Sequence, residues 1–450
     1  MRTSSERFLM VAVAVAAILA VAAVGFQMIT DRNRKGAVAK LKRPQAIERY
    51  RNAQASVDTP EPSSTRNESV AAFASLFSRV KALAGIRRWK EIEETVLKKP
   101  PKEWTADDWA QAKAFMDEAR DLIHEIRRLA EMGGPAYELD FSKGYAIELP
   151  HLAQLRELTR LLGTDALVQA RQGDYGEAVE DFVAGMKLAT GTLADEPILI
   201  SQLVRIAMDG IVWVYAQDAL PPEGISPELV RRLIEYAGRI DCRDSFADSF
   251  SGEGMFGLGM FEQMREGTAI PDLFPNRSTL ENLGLNLYSS AFARPWLNMD
   301  EEAFAETIGR LGDASRLPYY EAKPLLEQIQ RDVEDLPRTR VLSREFLPSL
   351  TRAVEAQARN EAQLDLLQMG LSIEQYHVRN GTYPTTLDAI ASDVGGRVPV
   401  DPFTGQPYIY KPSGRSFLLY SVGSNAVDDG GKYDYRTGDI VWRGVLERNK

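Results

Sequence analysis

Apolar and polar positions divide the chain into regions of different period. From Phe8 to Thr30 it reads FLMVAVAVAAILAVAAVGFQMIT, uncharged and with one interior amide. As a helix this run is long enough to cross a hydrocarbon layer about 30 Å thick. Residues 1–7 form a short tail before it. Residues 31–68 are polar, carry Pro44, Pro60 and Pro62, and show no sustained apolar period, which predicts a linker. From Val70 the apolar positions Phe73, Leu76, Phe77, Val80 and Leu83 recur at helical spacing. Thr105 then stands as an N-cap before Asp107 and Asp108, followed by the stripe Trp109, Ala112, Phe115, Met116, Ala119, Leu122 and Ile123. His151 to Leu220 is helical again. Residues 241–300, rich in Gly, Phe, Ser and Met and broken by Pro271, Pro275 and Pro295, predict irregular connecting structure. Helical period returns from Lys323 to Val333 and from Phe346 through His377.

After His377 the period shortens. Turn residues Asn380, Gly381, Pro384, Gly395, Gly396, Pro402, Gly405 and Pro407 arrive closely spaced, and three runs read as strands. These are Tyr408–Tyr410 with its neighbours, Ser416–Val422 and Asp439–Trp442. The expected fold class is therefore α+β. It comprises an N-terminal transmembrane helix over residues 8–30, a large all-α helical domain over 69–345, and a small helix-plus-antiparallel-sheet domain over 346–450.

Composition narrows the function classes. The 450 residues carry a net charge of −10 that is spread along the chain, which gives no electrostatic case for nucleic acid. Cys242 is the single cysteine, so an internal disulfide and a cysteine-based zinc cluster are excluded. The apolar run has a second reading as a cleaved signal peptide, because Arg2 and Arg7 precede it and small residues cluster around Ala20 to Ala23. The retained anchor is favoured, since the run continues past that point. Arg32, Arg34, Lys35, Lys40, Lys42 and Arg43 follow the span, and by charge bias alone they would place the bulk of the chain in the cytoplasm.

Two stretches resemble known families. ALVQARQGDYGEAVEDFVAGMKL, residues 166–188 with Gly173, Tyr175, Ala178 and Phe182, resembles a single tetratricopeptide-type helical hairpin; an ordinary helical bundle fits it equally. More specifically, IEQYHVRNGTYPTTLDAI, PVDPFTGQPYIY, FLLYSVGSNAVDDGG and GDIVW resemble, in that order, the C-terminal domain of the major pseudopilin of type II secretion systems. The shared positions include Tyr376, Asn380, Gly381, Tyr383, Pro384, Asp401, Pro402, Gly405, Pro407, Tyr408, Tyr420, Ser421, Gly423, Asp439 and Ile440. The N-terminus departs from that family: it has no prepilin-peptidase site and no Glu in its apolar span, so assembly as a standard pilus subunit is not expected. The resemblance implies an extracytoplasmic location and a calcium ion in the last loop. Asn425, Asp428, Asp429 and Asp439 would be the protein's oxygen ligands there, with Gly430 and Gly431 letting the backbone wrap; Asn425 stands where the family has an aspartate. A solvated acidic turn is the competing reading of the same residues.

Other motifs carry little chemistry. Gly252-Glu253-Gly254-Met255-Phe256-Gly257 spells a dinucleotide-binding pattern without a preceding strand, and reads as a flexible glycine loop. His124, His151 and His377 lack metal-ligand spacing and read as solvated or capping side chains. The expectation is a non-enzymatic, single-pass membrane protein of the cell envelope with protein partners, among them components of type II secretion, and no nucleic acid. The alternatives are a cytoplasm-facing helical scaffold and a calcium-dependent hydrolase.

Overall fold

Helix formers with periodic apolar faces dominate the chain, and helices dominate its structure. The computed structural model describes residues 4–41, 63–84, 91–97, 99, 101–133, 147–220, 225–266, 288, 290–414, 416–433 and 438–443. Among these, twelve α-helices precede the sheet. They are α1 (Ser4–Lys40), α2 (Ser63–Ala84), α3 (Ala106–Glu118), α4 (Arg120–Glu131), α5 (Pro150–Gln172), α6 (Tyr175–Leu193) and α7 (Leu199–Ala219), then α8 (Pro227–Gly238), α9 (Arg243–Glu266), α10 (Arg294–Ala314), α11 (Tyr319–Glu334) and α12 (Val341–Asn380). The strands β1 (Ile409–Ser413), β2 (Ser416–Ser421) and β3 (Ile440–Trp442) form one antiparallel sheet in the order β1-β2-β3.

Local chemistry places the helix ends. Thr105 caps α3 with a complete capping box, its hydroxyl accepting from the Asp108 amide while the Asp108 carboxylate accepts from the Thr105 amide. Gly173, at φ 85°, closes α5, and Asp174 caps α6. The stretch 166–188 thus forms a two-helix hairpin, against which α7 packs. Between α4 and this hairpin lies a charged seam. Arg127 pairs with Asp181 and Glu177, and Arg120 Nη1 sits 2.7 Å from Asp165 Oδ2. Asp165 and Asp181 are fully buried, so these pairs satisfy carboxylates that would otherwise be stranded in the core.

Two apolar cores result. The first runs from Phe73 on α2 to Trp442 on β3, and takes in α3 to α8, the second half of α12 from Ala358 to Ile373, and the sheet. The second unites α9, α10, α11 and the first half of α12, from Leu342 to Val354. Helix α12, 40 residues long, belongs to both. Asp300 on α10 starts it: buried, it accepts the amides of Leu342 at 2.8 Å and Ser343 at 3.1 Å and the Tyr288 hydroxyl at 2.7 Å.

Two stretches differ from the sequence expectation. Within 241–300, residues 243–266 and 294–300 are helical rather than irregular, and Pro295 opens α10 in its first turn, where a missing N–H costs nothing, rather than breaking it. Glycines in α9 were read as chain breakers, yet a Cβ on Gly252 would strike the Pro197 carbonyl and one on Gly257 the Phe304 ring. They are points of close helix approach, information that is not local to the sequence. The linker expected over 31–68 is narrower, because α1 continues to Lys40 and α2 begins at Ser63; residues 42–62 lie outside the described set. The extension of α1 has a packing cause: Thr30 and Ala37 are buried and Leu41 packs at the second core, while Arg34 reaches Glu301 of α10 at 3.3 Å. The apolar run 8–30 falls within α1, and its side chains up to residue 21 lie outside the described set. Among the described residues one helix is long and apolar enough to span a membrane, α7, and it is mostly buried as a core helix.

Candidate functional site

The C-terminal module is built by the residues that carry the family resemblance, each in an architectural role. Gly381, at φ 72°, ends α12, with the Asn380 side chain donating to the Tyr376 carbonyl at 2.8 Å. Tyr383 stacks on His377 with ring centroids 4.1 Å apart and meets Phe417 on β2. The Tyr410 hydroxyl donates to the Pro384 carbonyl at 2.8 Å. Asp401, buried, ties the Asp-Pro turn to β2: it accepts from the Phe403 amide, the Ser421 hydroxyl and the Val422 amide at 2.9, 3.0 and 3.1 Å. Burial, first among the influences on it, raises its carboxyl above the usual range despite these bonds. Pro412 is accommodated because β1 is an edge strand.

The acidic loop places the four expected calcium ligands near one another without aiming them at one point. Asn425 Oδ1 accepts the Val427 amide at 2.9 Å, and its Nδ2 donates to Asp429 Oδ2 at 3.0 Å. Asp428 turns outward, accepting from the Tyr420 hydroxyl and the Gly430 amide, with the Lys411 ammonium 3.8 Å away. The Tyr420 bond leads the influences that hold its carboxyl below the ordinary range. Asp439 Oδ2 accepts the Gly431 amide at 2.7 Å. Gly430 and Gly431 adopt φ of 77° and 78°, and Ala426 the same left-handed region at 56°. Residues 434–437 of this loop lie outside the described set, and among the described residues no three His, Cys, Asp or Glu side chains gather as a metal site. In this arrangement the oxygens of these four side chains serve the loop's own backbone and neighbours.

A polar cavity of 470 Å³ lies where the module meets the helices. Its walls come from the end of α8, the start of α9, the α12 face and the turns before β1, with Arg205, Arg243, Asn360, Glu361, Asp365 and Arg397 supplying most of the chemistry. Arg205, fully buried on α7, is neutralised: it reaches Asp209 at 3.0 Å, Gln357 at 2.7 Å and Gln202 at 3.1 Å. Arg243 makes a two-pronged pair with Glu361, at 3.2 and 2.9 Å. Asp365 accepts the Tyr408 hydroxyl at 2.7 Å, and burial pushes its carboxyl up to about 7. Burial also raises the Cys242 thiol, to about 11, which leaves it a poor nucleophile. The wall is thus suited to holding a polar group and to changing its charge near neutral pH.

Of the residues lining the cavity, Cys242 and Pro402 stand out in the sequence for other reasons, whereas Arg205, Arg243, Asn360, Glu361, Asp365 and Arg397 do not. The signal was present in α12, where Gln357, Glu361 and Asp365 recur every four residues beside Asn360 and Gln368, a polar stripe on a helix otherwise apolar on its packed faces. The histidines also need correction. His151 is buried and lies 3.0 Å from Glu196, which makes it an interior partner rather than a solvated or capping residue. The Gly252–Gly257 run lies inside α9 and has no strand before it, so it is neither a loop nor a phosphate cradle.

No family model, no curated protein and no solved structure matches the chain.

Proposed function

We propose that this is a non-enzymatic, single-pass membrane protein of the cell envelope, which holds a pseudopilin-like module rigidly against a large helical body. The observation that carries the reading is the course of α1. Val24, Phe26, Met28 and Ile29 are 60, 43, 68 and 60 % exposed, with Phe26 touching α10 through the edge of Trp296, and the apolar run continues N-terminally from them, whereas from Thr30 onward the same helix buries Thr30 and Ala37 against the body. Four large apolar side chains left outside on the turns before a docked segment are explained by lipid. The described motif positions of the C-terminal module serve packing and turn geometry, which supports a role in presenting a surface to protein partners. Type II secretion components are the partners that the resemblance suggests.

The resemblance favours an extracytoplasmic body. The basic residues after the span favour the cytoplasm, although Arg34 and Lys35 are engaged with Asp31 and Glu301. Reporter enzymes fused after Lys450, one active only in the cytoplasm and one only outside it, decide the side. Calcium in the acidic loop belongs to the same reading: Asn425, Asp428, Asp429 and Asp439 would have to turn from their present hydrogen bonds to hold it. Calorimetry and thermal melts of the full chain test it, with heat on calcium addition and a raised Tm expected; no heat and no shift would remove calcium from the account. The partner assignment is tested by proximity labelling from the C-terminus, where recovery of secretion components supports it and their absence from a cell that secretes by this route overturns it.

A further inference from the structure

The junction between α1 and the body carries more than an anchor. Phe26 of α1 meets Trp296 of α10, edge to face at 6.3 Å, and Arg34 reaches Glu301 further along both helices. Contacts 26 to 296 and 34 to 301 advance together, so the two helices run parallel. The N-terminal end of α10 therefore points the same way as the apolar half of α1. At that end stands Phe292, 80 % exposed, with its ring 5.8 Å from Trp296. An aromatic left this bare beside a half-buried tryptophan, level with Phe26, continues the apolar surface of α1 onto the body.

Paired charges ring this patch. Arg34 and Arg265 both converge on the buried Glu301, and Arg294 Nη2 donates to the Arg265 carbonyl at 2.6 Å, which brings the end of α9 to the same level. Arg265 has Glu262 at 3.0 Å as its second acidic partner. Arg34 has Asp31 at 2.9 Å as well, so three guanidinium groups stand with three carboxylates as a paired charged rim beside exposed aromatic rings, the composition that suits a boundary between hydrocarbon and headgroups.

We infer that Phe292 and Trp296, with Phe26, form an interfacial foot by which the helical body lies against the lipid surface in a fixed orientation, rather than swinging from its anchor. The inference rests on the membrane-anchor reading. It adds a second lipid contact, made by a residue about 270 positions away in sequence, and it makes α1 and α10 one rigid unit across the boundary.

Spin-label accessibility on the full chain tests it. Three single-cysteine proteins, Ala17→Cys, Phe292→Cys and Lys113→Cys, each in a Cys242→Ala background, are labelled with a nitroxide. They are reconstituted in nanodiscs of phosphatidylcholine and phosphatidylglycerol. Collision with oxygen, which partitions into lipid, is compared with collision with a water-soluble nickel complex. The expected oxygen-to-nickel ratio is highest at 17, water-like at 113, and at 292 several-fold above 113. A water-like ratio at 292 with a lipid-like ratio at 17 overturns the foot and leaves the anchor standing; water-like ratios at both overturn the anchor and the foot together. A second measurement keeps the native cysteine: brominated lipid should quench a larger share of the wild-type tryptophan emission than of the Trp296→Phe emission, and equal quenching counts against the foot.

Discussion

Trp442 is where the C-terminal sheet is fastened to the helices, and its removal measures that joint. The ring is 2 % exposed, lies over Gly370 of α12 so closely that a Cβ there would collide with it, and sits 5.6 Å from the Trp213 ring of α7. Burying a tryptophan removes about 200 Å² of mainly apolar surface, worth about 5 kcal/mol at 25 cal/mol per Å², and the aromatic pair adds about 1 kcal/mol. Against this, the indole N–H has no hydrogen-bond partner among the described residues, a cost of about 1–3 kcal/mol that truncation relieves. Trp442→Ala should therefore destabilise by about 3–5 kcal/mol, within the usual range for truncating a large core aromatic. Trp442→Phe, which keeps a ring and discards the unsatisfied N–H, should cost about 1 kcal/mol or less. Urea unfolding of the full chain in mild detergent, followed by far-ultraviolet circular dichroism and tryptophan fluorescence, reads both. Because the first core is continuous from Phe73 to Trp442, the two probes should shift together. A cost below 1 kcal/mol for the alanine variant, or loss of the sheet in a separate early transition with the helices unchanged, would refute the shared core.

Asp365 gives stability a pH dependence. Its folded carboxyl holds a proton up to about pH 7, while the unfolded chain releases it near 3.8, so the folded state binds more protons between these values and stability falls as pH rises through that window. The full shift corresponds to about 4 kcal/mol, an upper bound because the side chain lines a cavity that admits water. Asp365→Asn should flatten the decline of Tm between pH 5 and pH 8, and parallel curves for the two proteins would contradict the burial argument. Asp300→Ala strands the first amides of α12 and the Tyr288 hydroxyl, with an expected loss of about 2–4 kcal/mol in denaturant titrations and a partial recovery in Asp300→Asn. Gly257→Val drives a branched side chain into Phe304 and should cost at least as much as the overpacking of a tight core, about 1–3 kcal/mol, whereas Gly259→Ala, with open space around it, should be neutral or stabilising.

The C-terminal sheet was legible in the sequence nearly residue by residue, because its signals are local. Asn380-Gly381, Asp401-Pro402, Gly405 and the alternating run from Ser416 fix turns and strands within a few positions of themselves. The N-cap at Thr105 was readable for the same reason. What escaped depends on partners distant in sequence. The glycines of α9 signalled flexibility when their role is contact with Pro197 and Phe304. The polar residues after Thr30 signalled a linker, since nothing nearby shows that Arg34 has Glu301 to meet. His151 looked solvated until folding brought Glu196 beside it. The cavity is harder still: Asp365 and Glu361 lie on one helix face, but Arg243, Tyr408 and Arg397 arrive from three other segments, and only the packing of the module on α12 encloses them.

Alkaline carbonate extraction of membranes from cells making the full chain tests the central claim most directly. A chain held by a spanning helix stays with the lipid, so the protein should remain in the pellet and migrate at the mass of the uncleaved 450 residues. Release into the supernatant, or a product shortened by the length of the apolar run, would contradict the anchored reading and the lipid-facing foot with it.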